Sequence, residues 1–334
     1  MVKKKIEIKN GKEKVKKILA RLVIVETIIF VFLVAYAALP YLKLSDAVVG
    51  ANNVTVTTLL QVGNVYPEIV NFTYPTSISL TPNATANLEI IVIARDYNND
   101  TDIQNITLTF FDNAASSLGA ANDNNVHYTN NSCSINVSYG DQYHVSANCT
   151  VPVWYYANNA TWNATILVTD NASLTDSNST LISISTLLAL GLPNSINYGI
   201  VNATSVSAQQ IANVTNFGNT RFNLTLSGYG VLAGDNLSMN CTLGSNKNIS
   251  VNYEKYNITA SNTSSLNLTQ FESIYLNLTS SSVAKTFNLP QRQNDTAAYI
   301  DETNATYWRI YVPKGVAGSC SGNIVFGAVQ TAGS

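Results

Sequence analysis

Apolar and polar residues alternate with a period of two along much of the chain from Val54 onward. Val54–Val62, Leu88–Ala94 and Asn105–Phe111 show this alternation, and Asn- and Ser-rich sequences separate such segments. Successive side chains of a strand point to opposite faces, so the pattern predicts strands with one buried face. Many short strands and no convincing helix predict an all-β chain built from antiparallel sandwiches.

The strand segments form two groups, which predict two tandem Ig-like β-sandwich domains. The first domain is expected over residues 54–185 and the second over residues 186–334. In the second domain, Tyr198–Val201 is expected to begin the fold, and Phe217–Thr220 has the composition of a turn. The aromatic run Trp154–Tyr156 and Trp162 are expected in the core, with a sugar-binding platform as the alternative.

A continuous apolar run precedes the first domain. Leu22–Leu39 has 18 residues, all apolar or small except Glu26 and Thr27. As a helix it would measure about 27 Å, close to the roughly 30 Å hydrocarbon core of a bilayer. Basic flanks stay in the cytoplasm, and nine Lys and Arg residues come before this run. The expected order is a basic cytoplasmic tail (1–21), a transmembrane helix or signal anchor (22–42) and a linker (43–53).

This order predicts a single-pass protein of the cell membrane, with a cytoplasmic N-terminus and extracellular C-terminal domains. Ala35-Tyr-Ala37 ahead of Ala38 is typical of a signal-peptidase site, so a cleaved, secreted form is the alternative. Residues 44–334 carry eight Lys and Arg and seventeen Asp and Glu, a net charge of 8 − 17 = −9. An acidic chain with scattered cations has no footprint for nucleic acid, which is not expected as a partner.

Asparagine followed two positions later by Ser or Thr is unusually frequent. The chain has 24 such triplets, against about 8 expected by chance from its composition. Strand patterning explains why Asn lies outside, but not why Ser or Thr follows so often. The excess therefore predicts N-glycans on several sites. The candidates are Asn105, Asn136, Asn163, Asn223, Asn257 and Asn277.

The four cysteines all follow the apolar run. An even number in an exported chain predicts two disulfides, for which three connectivities are possible. Proximity in sequence favours Cys133–Cys149, which leaves Cys241 to pair with Cys320. A zinc site is the competing interpretation, but the chain has no CxxC pair and its two histidines are isolated.

One loop carries oxygen side chains at alternate positions. Hard cations such as Ca²⁺ bind six to eight oxygens, and a compact loop of this kind can supply several of them. The sequence departs from an EF-hand, because Thr101 and Thr107 replace its glycine and glutamate. An Asx-rich turn that satisfies its own backbone is the alternative. Ca²⁺ is therefore the one candidate cofactor, with the candidate ligands Asp96, Asn98, Asp100, Asp102 and Asp170.

Features typical of enzymes are missing from the sequence. It contains only His127 and His144, and no Gly-x-Ser-x-Gly, HExxH or phosphate-binding loop. The four cysteines are expected to be oxidised, which removes them as nucleophiles. We therefore expect a protein without enzymatic activity and assign no catalytic residue.

Several short features occur together in one family. They are the aspartate-rich loop 96–102, the aromatic run 154–156, Trp162 and Asp170, then Tyr198-Gly199, Asn216, Gly218-Asn219, Trp308, Pro313 and Gly315. In this the chain resembles modular Ig-like surface proteins of archaea, especially those of small symbiotic lineages. The resemblance implies a surface location and a β-sandwich fold, but no known activity. Cys320 stands where such modules often carry an aromatic residue, as expected for a disulfide particular to this protein.

Together these observations predict a glycosylated cell-surface protein with a structural or adhesive role, whose partners are other surface proteins or neighbouring cells. A subunit of an extracellular filament is the alternative, in which a strand such as Val54–Val62 is donated to a neighbouring subunit. A surface carbohydrate- or ligand-binding module is the second alternative. It depends on the aromatic residues alone.

Overall fold

The alternating segments do form strands, and the chain is all-β apart from short helical pieces. The computed structural model describes residues 16–17, 19, 21–29, 56–293 and 302–331. Residues 1–61 form one compact unit and residues 62–334 another. Within the second unit we call residues 68–184 the first module and residues 190–330 the second module.

The first module consists of two stacked antiparallel sheets. One has the strand order β1-β3-β7-β6 and the other the order β2-β9-β8-β4-β5, in which only β2 pairs in parallel. The strands are β1 (Glu68–Thr73), β2 (Ser77–Ile78), β3 (Thr85–Arg95), β4 (Ile103–Asp112), β5 (His127–Asn130), β6 (Ser134–Asn136), β7 (His144–Trp154), β8 (Thr161–Asp170) and β9 (Thr175–Ile184).

Alternation places one face of each long strand in the core of this module. In β3, Leu88, Ile90 and Val92 are fully buried while Glu89 and Ile91 between them are exposed. β7 and β8 contribute in the same way, and the indole of Trp162 stacks on Phe110 at a centroid distance of 4.7 Å. Burial of each large aliphatic side chain contributes about 1.5–3 kcal/mol, so this dry interior is the main source of stability.

The second module contains smaller sheets. Its strand orders are β10-β11-β18-β15-β16, β17-β12-β20 and β14-β13-β19. The strands are β10 (Leu190–Gly191), β11 (Gln210–Asn216), β12 (Phe222–Tyr229), β13 (Leu237–Gly244), β14 (Asn248–Ser250), β15 (Glu254–Asn257), β16 (Leu276–Asn277), β17 (Val283–Leu289), β18 (Thr303–Ile310), β19 (Val316–Ser321) and β20 (Asn323–Gln330). A short helix, Leu268–Ile274, and two 3₁₀ turns, Asp100–Asp102 and Val251–Tyr253, complete the described elements.

Two of these sheets share one long ladder. β12 pairs with β20 and β13 pairs with β19, so residues 222–244 run antiparallel to residues 316–330. The loop 230–236 separates β12 from β13. The Asp235 carboxylate holds this loop together by accepting four backbone N–H groups. Gly322 joins β19 to β20, where a Cβ would lie 1.6 Å from the carbonyl oxygen of Ser238. Only glycine fits at this joint.

Both disulfides lie at strand pairs. Cys133 is bonded to Cys149 in the first module, and Cys241 is bonded to Cys320 across the β13–β19 pair. The described residues contain no free cysteine. The prediction of two disulfides is therefore confirmed, in the connectivity that sequence proximity favoured.

The predicted all-β class is confirmed, but one predicted strand is wrong. Of Val54–Val62, the structure describes the residues from Val56 onward, and they form no strand; the first strand begins at Glu68. Alternation creates an apolar face in this segment, but a strand also needs a hydrogen-bonding partner. Tyr198–Val201, where the second domain was expected to begin, has no strand structure. The division into two Ig-like domains stays a prediction, since residues 62–334 form one unit with more than one hydrophobic cluster.

The predicted membrane localisation is corrected. Among the described residues, no helix has both the length and the apolar character needed to cross a bilayer. The single-pass anchor is therefore not supported. Residues 30–42 of the expected span and the expected linker 43–53 lie outside the described residues, as do residues 1–15 of the expected tail.

Candidate metal site

Three carboxylates meet at one end of the first module. Asp96 follows β3, Asp102 ends the 3₁₀ turn that precedes β4, and Asp170 is the last residue of β8. One oxygen from each lies within 4.8 Å of the others. The ends of neighbouring strands meet at this edge, which brings together residues separated by up to 74 positions (170 − 96) in the sequence.

Local hydrogen bonds fix the orientation of all three side chains. Asp96 Oδ1 accepts the backbone N–H of Asn98 at 2.8 Å. Asp170 Oδ1 accepts the N–H of Leu174 at 2.7 Å, and Asp170 Oδ2 accepts from the side-chain amide of Asn64 at 2.7 Å. The Asn171 amide donates to Asp102 Oδ1 at 3.1 Å. The carboxylates are thus held in place before any ion arrives.

The second oxygen of Asp96 distinguishes this cluster from an ordinary acidic surface. Asp96 and Asp170 are fully buried, and Asp96 Oδ2 has no hydrogen-bond partner among the described residues. A buried polar atom without a partner is costly, typically by 1–3 kcal/mol. Burial, and next the nearby charges of Asp102 and Asp170, raise the pKa of Asp96. In the described part of the chain, none of the three forms an ion pair with Lys, Arg or His.

Two of the predicted ligands do not join the three carboxylates. Asp100 lies in the 3₁₀ turn outside the cluster, and its backbone N–H donates to the carbonyl of Gln142 at 2.8 Å. The side chain of Asn98 instead holds the incoming chain, because its Oδ1 accepts from Val65 N–H at 2.8 Å and its Nδ2 donates to the Gly63 carbonyl at 3.1 Å. An alternating spacing assumes an extended loop, whereas this loop folds back on itself.

Two residues of the site were not found from the sequence. Asn64 and Asn171 both reach the cluster with their side-chain amides. Asn171 follows Asp170 directly, so its position next to a predicted ligand was a usable signal. Asn64 carries no such signal, because only the path of residues 63–65 across the module end brings it there.

The predicted glycosylation candidates lie on strands, at exposed or half-buried positions. Asn136 and Asn277 are exposed, and the other four are half-buried. The amide nitrogen of Asn105, the atom that would carry a glycan, donates to the Asn131 carbonyl at 2.9 Å. Glycosylation stays a prediction, for which Asn136 is the more accessible position.

The aromatic and histidine residues have structural contacts. Trp162 is fully buried, as the core interpretation expected, whereas Trp154 is 37% exposed and stacks on Tyr156 at 5.8 Å. His127 is buried against Phe111, and its Nδ1 lies 3.1 Å from the Ser116 hydroxyl. His144 Nδ1 lies 2.6 Å from Asp141. The expectation of no enzymatic activity stays a prediction.

Comparisons with known proteins place the chain in no family. No family model and no curated protein sequence matches it. Among solved structures, it is similar to the CsuC–CsuE chaperone–tip adhesion subunit pre-assembly complex of Acinetobacter baumannii Csu pili, with 11% identity, a TM-score of 0.33 and coverage of 77% of this chain and 99% of that one.

Two further solved structures show a similar degree of likeness. A chaperone–tip adhesin complex of CFA/I fimbriae has 10% identity and a TM-score of 0.27, covering 80% of this chain and 82% of that one. A carbohydrate-binding module of the β-sandwich superfamily has 12% identity and a TM-score of 0.20, covering 80% and 98%. At these scores the likenesses carry no argument about function.

Proposed function

We propose that the chain is an extracellular β-sandwich protein with a structural or adhesive role, and that a bound Ca²⁺ stiffens the end of its first module. The observation that carries this proposal is the buried, unpartnered Asp96 Oδ2 facing Asp102 and Asp170. The two disulfides support an oxidising location, since such bonds persist mainly outside the cytoplasm.

Carboxylate oxygens are the ligands that Ca²⁺ prefers, and three carboxylates supply three to six of its six to eight oxygens. An ion here satisfies Asp96 Oδ2 and removes the repulsion among the three charges. The same end of the module holds residues 63–65 through Asn98 and Asn64. Ca²⁺ would therefore stabilise the point where the chain enters the sandwich. A force applied to the chain from its N-terminal side would act at this point.

Thermal unfolding of the full chain in Ca²⁺ and in EGTA tests this site. At a Ca²⁺ concentration 100 times Kd, the bound state gains about 2.7 kcal/mol, which raises Tm by roughly 5–10 °C for a unit of this size. Asp170→Asn should abolish the difference. Asp100→Asn is the matched control, because Asp100 belongs to the same loop but not to the cluster, and it should leave the difference intact. An equal Tm in Ca²⁺ and EGTA for the unmodified chain would contradict the proposal.

A filament subunit is the second candidate function. The observation that favours it is the exposure of the apolar residues before the first strand: Leu59 is 93% and Leu60 89% exposed. The carbohydrate-binding alternative is weaker, because burial of Trp162 removes one of the aromatics on which it depended. The relation to archaeal Ig-like surface proteins stays a prediction.

A further inference from the structure

The second module contains a slot beside its last two strands. Two cavities of about 680 Å³ and 280 Å³ share the lining residues Ser195, Ile196, Met239 and Gly322, so they adjoin. One wall of this slot is the irregular segment 192–201, and the other is the run β19–β20 from Val316 to Phe326.

Both walls offer unpaired backbone to the slot. β19 and β20 each stand at the end of their strand order, with β13 and β12 on the other side. Across the slot, residues 194–201 form no backbone–backbone hydrogen bond with any described residue. An unpaired strand edge is a template for pairing with another chain. The slot therefore has the backbone groups that a further strand would need.

Apolar and polar groups line the slot in similar shares, and one buried acid is among them. The apolar lining includes Met239, Ile249, Ile310, Ile196 and Phe326. Glu254 lines the smaller cavity and is 1% exposed. Its Oε1 accepts from the Tyr198 hydroxyl at 2.7 Å, while its Oε2 has no partner among the described residues. An occupant should combine apolar with small polar side chains, carry no charge, and offer one group that can form a hydrogen bond with this oxygen.

The segment Val54–Val62 meets all three requirements. As a strand it would place Val54, Val56, Thr58, Leu60 and Val62 on one face, and it contains no charged residue. The Thr58 hydroxyl on that face can donate to the Glu254 oxygen when the carboxyl is ionised and accept from it when the carboxyl is protonated. In the described part of this segment every residue is exposed, an unusual condition for apolar side chains in water.

We infer that Val54–Val62 of one copy of this chain inserts beside β19–β20 of a second copy. A strand of nine residues is about 30 Å long at 3.3 Å per residue, and the eleven residues from Val316 to Phe326 offer about 36 Å. The described residues of the segment are exposed and the slot has an unpaired strand edge, so each copy presents one donor and one acceptor. Such head-to-tail contacts build a filament wherever the rotation between successive copies does not close them into a ring.

This inference deepens the filament alternative and rests on the proposed extracellular role. A photoreactive benzoylphenylalanine in place of Ala317, which lines the slot, tests it in the full chain. Unlabelled and ¹⁵N-labelled copies are mixed, irradiated and digested, and cross-linked peptides are read by mass spectrometry. The expected result is cross-links from residue 317 to a fragment containing residues 54–62, including pairs with one light and one heavy partner.

Two variants at neighbouring positions make the test specific. Leu60→Asp puts a charge on the inserting face and should lower the yield of mixed-isotope cross-links at least about tenfold. Leu59 is about as exposed as Leu60 in the free chain but lies on the opposite face of the strand. Leu59→Asp should therefore change the yield less than about twofold. Retention of both disulfides and of the unmodified Tm shows that each variant is folded.

The remaining outcomes overturn the inference. Cross-links between peptides of the same isotope only would mean that the chain fills its own slot. Cross-links to other proteins or other segments, or none at all, would mean that Val54–Val62 is not the occupant, as would equal effects of the two Leu variants. The Ca²⁺-dependent Tm is measured separately, so a failure here leaves the proposed role of the first module standing.

Discussion

The two modules use similar strands but distribute their polar groups differently. In the first module, long strands alternate cleanly and the buried carboxylates collect at one end, around Asp96. In the second, shorter sheets enclose charged groups within the fold, among them the buried Arg309 and Glu254, and an edge stays unpaired. The comparison teaches that nearly equal alternation gives sheets of four and five strands in the first module and sheets of five, three and three strands in the second.

The physical difference is where backbone hydrogen bonds are completed. β3 of the first module has a partner on both sides along most of its length. β19 and β20 have described partners on one side only. Disulfides and buried polar contacts consequently matter more to the second module, because its sheets provide less support. The predictions below test this contrast, from the largest expected effect to the smallest.

Removing the disulfides, one at a time, should give the largest difference in unfolding free energy between the two modules. The Cys241–Cys320 bond spans 79 residues and the Cys133–Cys149 bond spans 16. In the chain-entropy treatment, their loss costs about 4–5 and about 3 kcal/mol. Urea unfolding of the two Cys→Ser double variants measures both values. A larger loss for the Cys133–Cys149 variant would contradict the view that the second module depends more on cross-linking.

Arg309→Met should destabilise the second module by about 4 kcal/mol. The guanidinium is 1% exposed and donates to the carbonyls of Ser207 at 2.7 Å and Asn262 at 2.6 Å, among other acceptors. A buried acceptor left without its donor typically costs about 1–3 kcal/mol, and Met leaves more than one such acceptor. Arg221→Met, at an exposed position, is the control and should stay within about 0.5 kcal/mol. Denaturant unfolding measures the loss of unfolding free energy for both variants. Equal losses would show that the contacts of Arg309 contribute little to stability.

Glu254→Gln should change how stability depends on pH. Burial raises the pKa of Glu254 to about 7, while the hydrogen bond from Tyr198 acts in the opposite direction. The unfolded chain ionises near pH 4.5, but the folded chain keeps the proton until about pH 7. Stability is therefore full below pH 4.5 and is lost as the pH rises to about 7, by a total on the order of 3 kcal/mol.

Glutamine keeps an acceptor for Tyr198 and cannot ionise. The variant should match the unmodified chain at pH 4 and exceed it in unfolding free energy at pH 8. Equilibrium unfolding at the two pH values measures the difference. Parallel pH profiles for the two chains would show that Glu254 is not held neutral by its surroundings.

Asp96→Asn should have the smallest effect, and one whose sign depends on the ion. Burial raises the pKa of Asp96, as do the charges of Asp102 and Asp170. In EGTA the folded chain therefore loses stability as the pH rises toward neutrality and Asp96 ionises. The amide removes that loss, and Tm at pH 7 in EGTA should rise slightly. In Ca²⁺ the variant should melt below the unmodified chain. A lower Tm in both conditions would indicate a purely structural role for Asp96.

Much of the fold could be predicted from local pattern. The alternation in Leu88–Ala94 and Asn105–Phe111 identified β3 and β4, because a period of two is a property of neighbouring residues. The same pattern in Val54–Val62 predicted a strand that the described residues of this segment, from Val56 onward, do not form. Alternation shows which face can be buried, but not whether a partner is present.

The candidate site could be predicted only in part. Asp96 and Asp102 were found from the alternating oxygen side chains of their loop, and Asp170 from its place at the end of another strand. The structure brings the three together. Asp100 fitted the same spacing but lies in the 3₁₀ turn outside the cluster. Asn64 lacked any local signal, because its position depends on a hydrogen bond to a residue 106 positions later.

By itself, the sequence determined the β class, the dry cores, the even set of cysteines and an acidic loop that could attract a cation. These depend on composition and on spacings of a few residues. Only the tertiary structure decided which carboxylates converge, that Asp96 keeps a buried oxygen without a partner, and that β19–β20 leave an edge open. Those properties arise when distant segments pack, because burial and hydrogen-bond completion are set by neighbours in space.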